Sequence, residues 1–261
     1  MLRIKHLLVA IQNWITIKIT IFGFNSKPNH VELVRLGSDY GGWWLPSAAM
    51  SNSNLDRVAI SAGLGFDVSF DKSLLELGFT VIGLDPLADC VAHANLNLAE
   101  FRSFTSLEKG LWKTTGTLSF YPPKNTEHDS WSATNIQHSS ESMIKSFEVI
   151  SLTDLFIRFS QLEKCDYRIL KMDIEGSELE VMKSLSTFQH RFDFIAIEID
   201  FLSLIPFLKF RHRIMMIKEA RFLLRNFQSA GYQLVKTENF NFFWIPTECN
   251  FHIPKTPKLL L

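Results

Sequence analysis

Apolar residues along the chain follow two alternating patterns. Arg57 to Ser61 and Thr80 to Leu84 are short apolar runs with β-branched residues that end in turn chemistry, and Phe70 to Leu77 between them has helical spacing. The pattern predicts a strand, a helix and a second strand. The same order returns downstream, where Tyr167 to Met172 reads as a buried strand, Ser177 to Phe188 as an amphipathic helix and Phe194 to Ile199 as another buried strand. Strands that alternate with helices imply a parallel sheet. Between the two sets, Gly116 to Tyr121 predicts a strand and Pro122 to Ser142 a polar loop, of a length that in compact domains often serves as a lid or binding loop. His212 to Ala230 is helical in pattern, and Tyr232 to Lys236 with Phe242 to Ile245 predicts a hairpin around Glu238 and Asn239. The expected architecture is α/β, doubly wound and mostly parallel.

The N-terminus departs from this pattern. Leu7 to Phe24 is apolar, but Gln12, Asn13, Thr16, Lys18 and Thr20 interrupt it and no small-residue cleavage site follows, so neither a membrane span nor a signal peptide is expected. Its β-branched content disfavours a helix. The expected organisation is a packed extension over residues 1–33 followed by one domain over 34–261. Arg3, Lys5, His6 and Lys18 beside apolar residues would suit contact with a membrane surface.

Composition narrows the classes. A chain of 261 residues supports one large domain, and a formal net charge of +0 provides no global field for polyanions, so nucleic acid is not an expected partner. Cys90, Cys165 and Cys249 are widely spaced and lack CxxC pairing, which suggests neither a disulfide framework nor a zinc site, and a reducing cytoplasm is expected.

Chemistry concentrates where strands end. Ser61-Ala62-Gly63-Leu64-Gly65-Phe66-Asp67 follows the first predicted strand and precedes the first helix, where glycines let the backbone turn sharply and approach a ligand. Asp85 ends the next strand about 20 residues on, the position that accepts hydrogen bonds from ribose hydroxyls. NAD and S-adenosylmethionine both carry that ribose. The turn lacks the third glycine of a dinucleotide fingerprint, and a cofactor without a pyrophosphate suits it better.

Leu170-Lys171-Met172-Asp173-Ile174-Glu175-Gly176-Ser177-Glu178 then ends a buried strand with two carboxylates and a glycine and opens a helix. This run resembles the signature of the FkbM family of methyltransferases. Tyr40-Gly41-Gly42-Trp43-Trp44, Ser61 to Asp71, Gly110-Leu111-Trp112, Gly116 to Tyr121 and Ile197-Glu198-Ile199 resemble further family segments in the same order, from about Val34 to about Pro246. Ser61 stands where many methyltransferases have an acidic residue. The resemblance implies a Rossmann-like class I fold, with a seven-stranded sheet and a C-terminal antiparallel hairpin. It also implies S-adenosyl-L-methionine as cofactor and methylation of a hydroxyl on a sugar, glycan or natural product.

Methyl transfer to oxygen requires an aligned acceptor and a group that takes its proton. The candidate catalytic residues are Asp173, Glu175 and the loop residue His128. Gly63, Leu64, Gly65, Asp67, Asp85, Pro86, Gly110 and Asp173 are the candidate cofactor contacts, and Trp44 and Glu198 the candidate acceptor contacts. Glu198 and Asp200 share one face of a strand and, with Asp173, could ligate a divalent metal, although their spacing alone establishes none. Two rival readings are a non-catalytic binding or scaffold protein and an NAD-dependent oxidoreductase. The second would want a fuller glycine motif and a hydride-transfer constellation.

Overall fold

The apolar runs assemble into one seven-stranded sheet. In the computed structural model, which describes residues 2–24, 31–50, 54–122, 131, 144–185, 188–203 and 205–248, the chain starts with helix α1 (Leu2–Ile21) and the strand pair β1 (Leu33–Leu36) and β2 (Trp43–Pro46). Then follow β3 (Arg57–Ala62), α2 (Ser69–Glu76), β4 (Thr80–Asp85), α3 (Ala88–Asn97), β5 (Phe104–Glu108), β6 (Gly110–Leu111), β7 (Gly116–Phe120) and β8 (Lys145–Ile150). The second half comprises α4 (Leu152–Arg158), α5 (Gln161–Lys164), β9 (Tyr167–Met172), α6 (Glu178–Leu185), β10 (Phe194–Glu198), α7 (Phe210–Ser229), β11 (Tyr232–Glu238) and β12 (Asn241–Pro246).

The sheet order is β11-β12-β10-β9-β3-β4-β5. The five strands from β10 to β5 run parallel, and β12 and β11 close that edge as an antiparallel hairpin. From β3 the chain winds outward through β4 and β5, then returns to lay β9 on the other side of β3. The strand order therefore reverses between β3 and β9, and a crevice opens beyond their C-terminal ends.

Alternation along the strands fills two cores. Val58, Ile60, Leu170, Met172, Ile195 and Ile197 pack on one face with residues of α4, α6 and α7. Ala59, Val81, Ile169 and Ala196 pack on the other with residues of α2, α3 and β2. Burial on both faces explains why these strands read as continuous apolar runs.

One expectation is corrected. The N-terminal segment is a helix despite its β-branched residues, because tertiary contacts outweigh propensity. It packs on α7, buries Thr16 and Thr20, and donates the Thr20 hydroxyl back to the Thr16 carbonyl at 2.8 Å. Arg221 of α7 donates to the terminal carbonyls of Ile19 (2.7 Å), Thr20 (3.0 Å) and Phe22 (3.0 Å), replacing the intrahelical partners those groups lack. Leu7, Trp14 and Phe22 face solvent, and among the described residues no helix is long and apolar enough to cross a membrane. Gly116–Phe120 forms the strand the sequence predicts, and it joins a separate three-stranded sheet of order β6-β8-β7. Most of the polar loop that follows, including His128, lies outside the described residues.

Candidate active site

Three strand ends meet at Gly63. Its N–H donates to the Leu84 carbonyl at 2.8 Å, and the Asp173 N–H donates to the Ala62 carbonyl at 3.0 Å. The backbone at Gly63 is left-handed (φ +81), and a Cβ there would lie 1.7 Å from the Asp173 carbonyl oxygen. Only glycine allows β9 to end this close to the turn that leaves β3.

Asp85 ties the turn to β4. One carboxylate oxygen accepts from Leu64 N (3.0 Å) and Gly65 N (3.1 Å), and the other accepts from Leu87 N at 2.9 Å. Two oxygens have about four acceptor directions, so one remains open on the oxygen that meets Leu87. Burial pushes this carboxyl up, while its backbone donors and Lys171 pull it down.

Asp67 lines the same cleft but has a different task. It accepts from the Ser38 hydroxyl, Gly41 N (3.1 Å) and Ser69 N (3.0 Å), fastening the β1–β2 connection to the start of α2. Burial opposes its ionisation, yet these hydrogen bonds hold its carboxyl below the usual range.

The ends of β9 and β10 are acidic. Lys171, buried beneath them, donates to the carbonyls of Gly63 and Ala62 (3.4 Å). Its Nζ lies 5.3 Å from the Trp43 ring centre and 3.8 Å from an Asp173 carboxylate oxygen. Beyond Asp173 the backbone is left-handed at Glu175 (φ 51) and Gly176 (φ 89). Glu178 braces this turn from inside: one carboxylate oxygen accepts from Ile174 N (3.1 Å) and Gly176 N (3.0 Å), and the other has no hydrogen-bond partner. Glu198 and Asp200 stand opposite. Burial, followed by the charges of Asp173 and Glu175, pushes Glu198 up to about 8. Asp200 is raised by burial and then by Glu178, Glu175, Glu198 and Asp173.

Glu178 is wholly enclosed, at 0% exposure. Burial pushes it up to about 7 from an ordinary 4.5, and the charge of Asp173 adds to the effect. Between those values the folded state holds a proton that the unfolded chain has released, so stability falls as pH rises through that window. Urea unfolding in EDTA across the window is expected to show a loss on the order of 3 kcal/mol from this group, removed by Glu178→Gln. A profile that keeps its slope in the variant would exclude Glu178 as the source.

The cleft at the strand ends encloses about 600 Å³. Gly63, Leu64, Gly65, Asp67, Asp85, Pro86, Gly110, Asp173, Glu175 and Glu198 all line it. Trp44 does not, because alternation in β2 puts Trp43 on the cleft side. Trp44 instead donates its indole N–H to Glu238 at 3.0 Å under the Lys236 ammonium, which lies 3.7 Å from its ring centre. Ser61 is wholly buried and lies outside the lining. Lys171, Ser177, Asn239 and Asn241 also line the cleft but were not among the sequence candidates. Lys171 and Ser177 sit inside the quoted run, whereas the two asparagines arrive from the distant hairpin with no local signal.

A reversed strand order, a two-glycine turn and acidic residues at the ends of β4, β9 and β10 define a Rossmann-like fold of the methyltransferase class. The methyltransferase FkbM domain model matches residues 54–234, and the chain belongs to that family. Among solved structures it is similar to the FkbM methyltransferase of Methylobacillus flagellatus KT, at 13% identity over 73% of this chain and 43% of that one, with a TM-score of 0.43. It is also similar to the fibrillarin pre-rRNA processing protein of Methanococcus jannaschii, at 11% identity over 85% of each chain and a TM-score of 0.38. A human methyltransferase 10 domain containing protein is 10% identical over 91% of this chain and 96% of that one, with a TM-score of 0.36. The chain thus spans less than half the length of the first of these. No curated protein sequence matches it.

Proposed function

We propose that the chain transfers a methyl group from S-adenosylmethionine to a hydroxyl oxygen of a sugar, glycan or natural product. The reading is carried by the meeting of the glycine turn, Asp85 and Asp173 in one cleft at the reversal point of the sheet. The residues fit a nucleoside. Asp85 keeps one acceptor direction for a ribose hydroxyl, and the cleft volume is of ligand-binding size. When bound, the cofactor supplies an electrophilic methyl on a sulfonium.

The rest falls to the chain. The acceptor oxygen must lie in line with the methyl carbon and give up its proton as the new bond forms. Asp173 ends β9 beside Gly63, with 34% of its side chain accessible, and takes that proton while Lys171 balances its charge at 3.8 Å. Burial and the charges of Asp173 and Glu175 push Glu198 up to about 8, which makes it the poorer ionised base at neutral pH. Tyr40 and Phe66, exposed along the lining, offer aromatic faces to a ring-shaped acceptor.

Titration calorimetry with S-adenosylmethionine, S-adenosylhomocysteine and NAD tests the reading. Micromolar binding of the two sulfur nucleosides without NAD is the expected result. NAD alone would indicate a dehydrogenase, and binding of none of the three by folded protein would indicate a scaffold. Asp85→Ala is expected to weaken S-adenosylmethionine by about 1 to 3 kcal/mol, and unchanged affinity in a folded variant would remove Asp85 from the ribose site.

A further inference from the structure

Helix α1 is apolar on two sides, and the domain covers one of them. Thr16, Thr20 and Ile21 are buried on the domain side. On the other side Leu8, Ile11, Trp14, Ile15, Ile19 and Phe22 recur at helical spacing and are between 43% and 78% exposed. A surface helix ordinarily turns polar residues to water, and a helix that is apolar all round is ordinarily enclosed. A continuous apolar stripe of this kind marks a surface that meets something other than water.

Helix α7 widens the surface and adds charge. Ile214, Lys218, Arg221 and Arg225 share one side of α7 by their spacing, the side from which Arg221 reaches the carbonyls at the end of α1. Trp14, Ile15, Ile19 and Phe22 line a shallow groove whose walls also include Lys18 and Arg221. Helix α1 carries three Lys or Arg residues and no acid, and α7 carries five against Glu219 alone. Glu219 is already paired with Lys183 of α6 at 3.2 Å. The whole chain balances 27 basic residues against 27 acidic ones, so this positive excess is local.

The charge decides between occupants. A two-fold contact with a second copy would press the basic surface onto itself. Anionic headgroups meet it with opposite charge, while the acyl boundary beneath them takes up the apolar stripe. Trp14 suits the headgroup level, because its ring joins an apolar body to a polar N–H. No described helix is long and apolar enough to cross a membrane. We propose that α1 and the adjoining side of α7 form a docking surface for an anionic lipid bilayer, with α1 lying in the plane of the interface. Lipid docking and methyl transfer stand apart, and neither requires the other.

Co-sedimentation of the purified full chain with lipid vesicles is the test, with its oligomeric state followed by light scattering. Binding to phosphatidylcholine vesicles that carry about one-third phosphatidylserine is expected to be roughly tenfold or more tighter than to phosphatidylcholine alone, and to weaken as salt rises. Trp14→Ser combined with Phe22→Ser is expected to weaken binding by roughly tenfold or more. Lys18→Glu combined with Lys218→Glu is expected to remove the preference for the anionic vesicles. All four positions are exposed, so both variants should keep the thermal melt of the parent. A folded chain that binds neither vesicle overturns the docking surface, as does binding that ignores lipid charge or survives the Trp14 and Phe22 changes. A dimer that those two changes split, in a chain that ignores vesicles, assigns the stripe to a second copy and overturns it too.

Discussion

Gly63→Ala is expected to lower the melting temperature by roughly 10 °C or more or to prevent folding. The added methyl would lie 1.7 Å from the Asp173 carbonyl oxygen, at a φ of +81 that alanine adopts poorly. Relief by movement is blocked on both sides. The Asp173 N–H is bonded to Ala62 at 3.0 Å and the Gly63 N–H to Leu84 at 2.8 Å, so a shift tears at the ladders that join β9, β3 and β4. Gly65→Ala is the control. Its backbone is also left-handed (φ +54), but nothing lies within 4 Å of the added carbon. The cost there is backbone strain alone, about 1 to 2 kcal/mol. Thermal melts followed by circular dichroism check the pair, and equal losses would show that the close approach to Asp173 is not the cause.

Asp173→Asn is expected to lower methyl transfer by roughly 10²- to 10⁴-fold. The substitution keeps size and hydrogen-bonding ability but cannot accept the proton of the attacking hydroxyl. Affinity for S-adenosylhomocysteine should change by no more than a few-fold, because binding this product involves no proton transfer. Single-turnover release of S-adenosylhomocysteine, measured with a hydroxylated acceptor found by screening, separates the two effects. A variant that turns over at the parent rate would move the base elsewhere in the cluster.

The fold was largely legible because the strands that matter are buried on both sides. Val58 to Ala62, Tyr167 to Met172 and Phe194 to Glu198 are buried at nearly every position, and the helices between them carry the complementary period. Strand ends in such a sheet point to one edge, so Gly63, Asp85 and Asp173 could be placed together before any coordinates. What stayed hidden depended on partners far away in sequence. The choice between Trp43 and Trp44 turns on which face of β2 meets β10 and β12, and two adjacent tryptophans look alike in sequence. Lys171 reads as one polar residue in a strand until the Gly63 carbonyl from β3 is set beside it. Asn239 and Asn241 reach the cleft only because β12 lies against β10. The C-terminal end of α1 is tied down by Arg221, about 200 residues downstream.

Glu175 bears on how this protein would respond to selection. It is one of two non-glycine residues with positive φ among those described, at +51, and a glycine follows it. Glycine at 175 would relieve strain of roughly 1 kcal/mol and leave the neighbouring turn intact. A screen for thermal tolerance alone would therefore drift toward Glu175→Gly, and each hardened lineage would have one carboxylate fewer in the cleft. Libraries aimed at a tougher protein should hold position 175 fixed, or score turnover and heat resistance together.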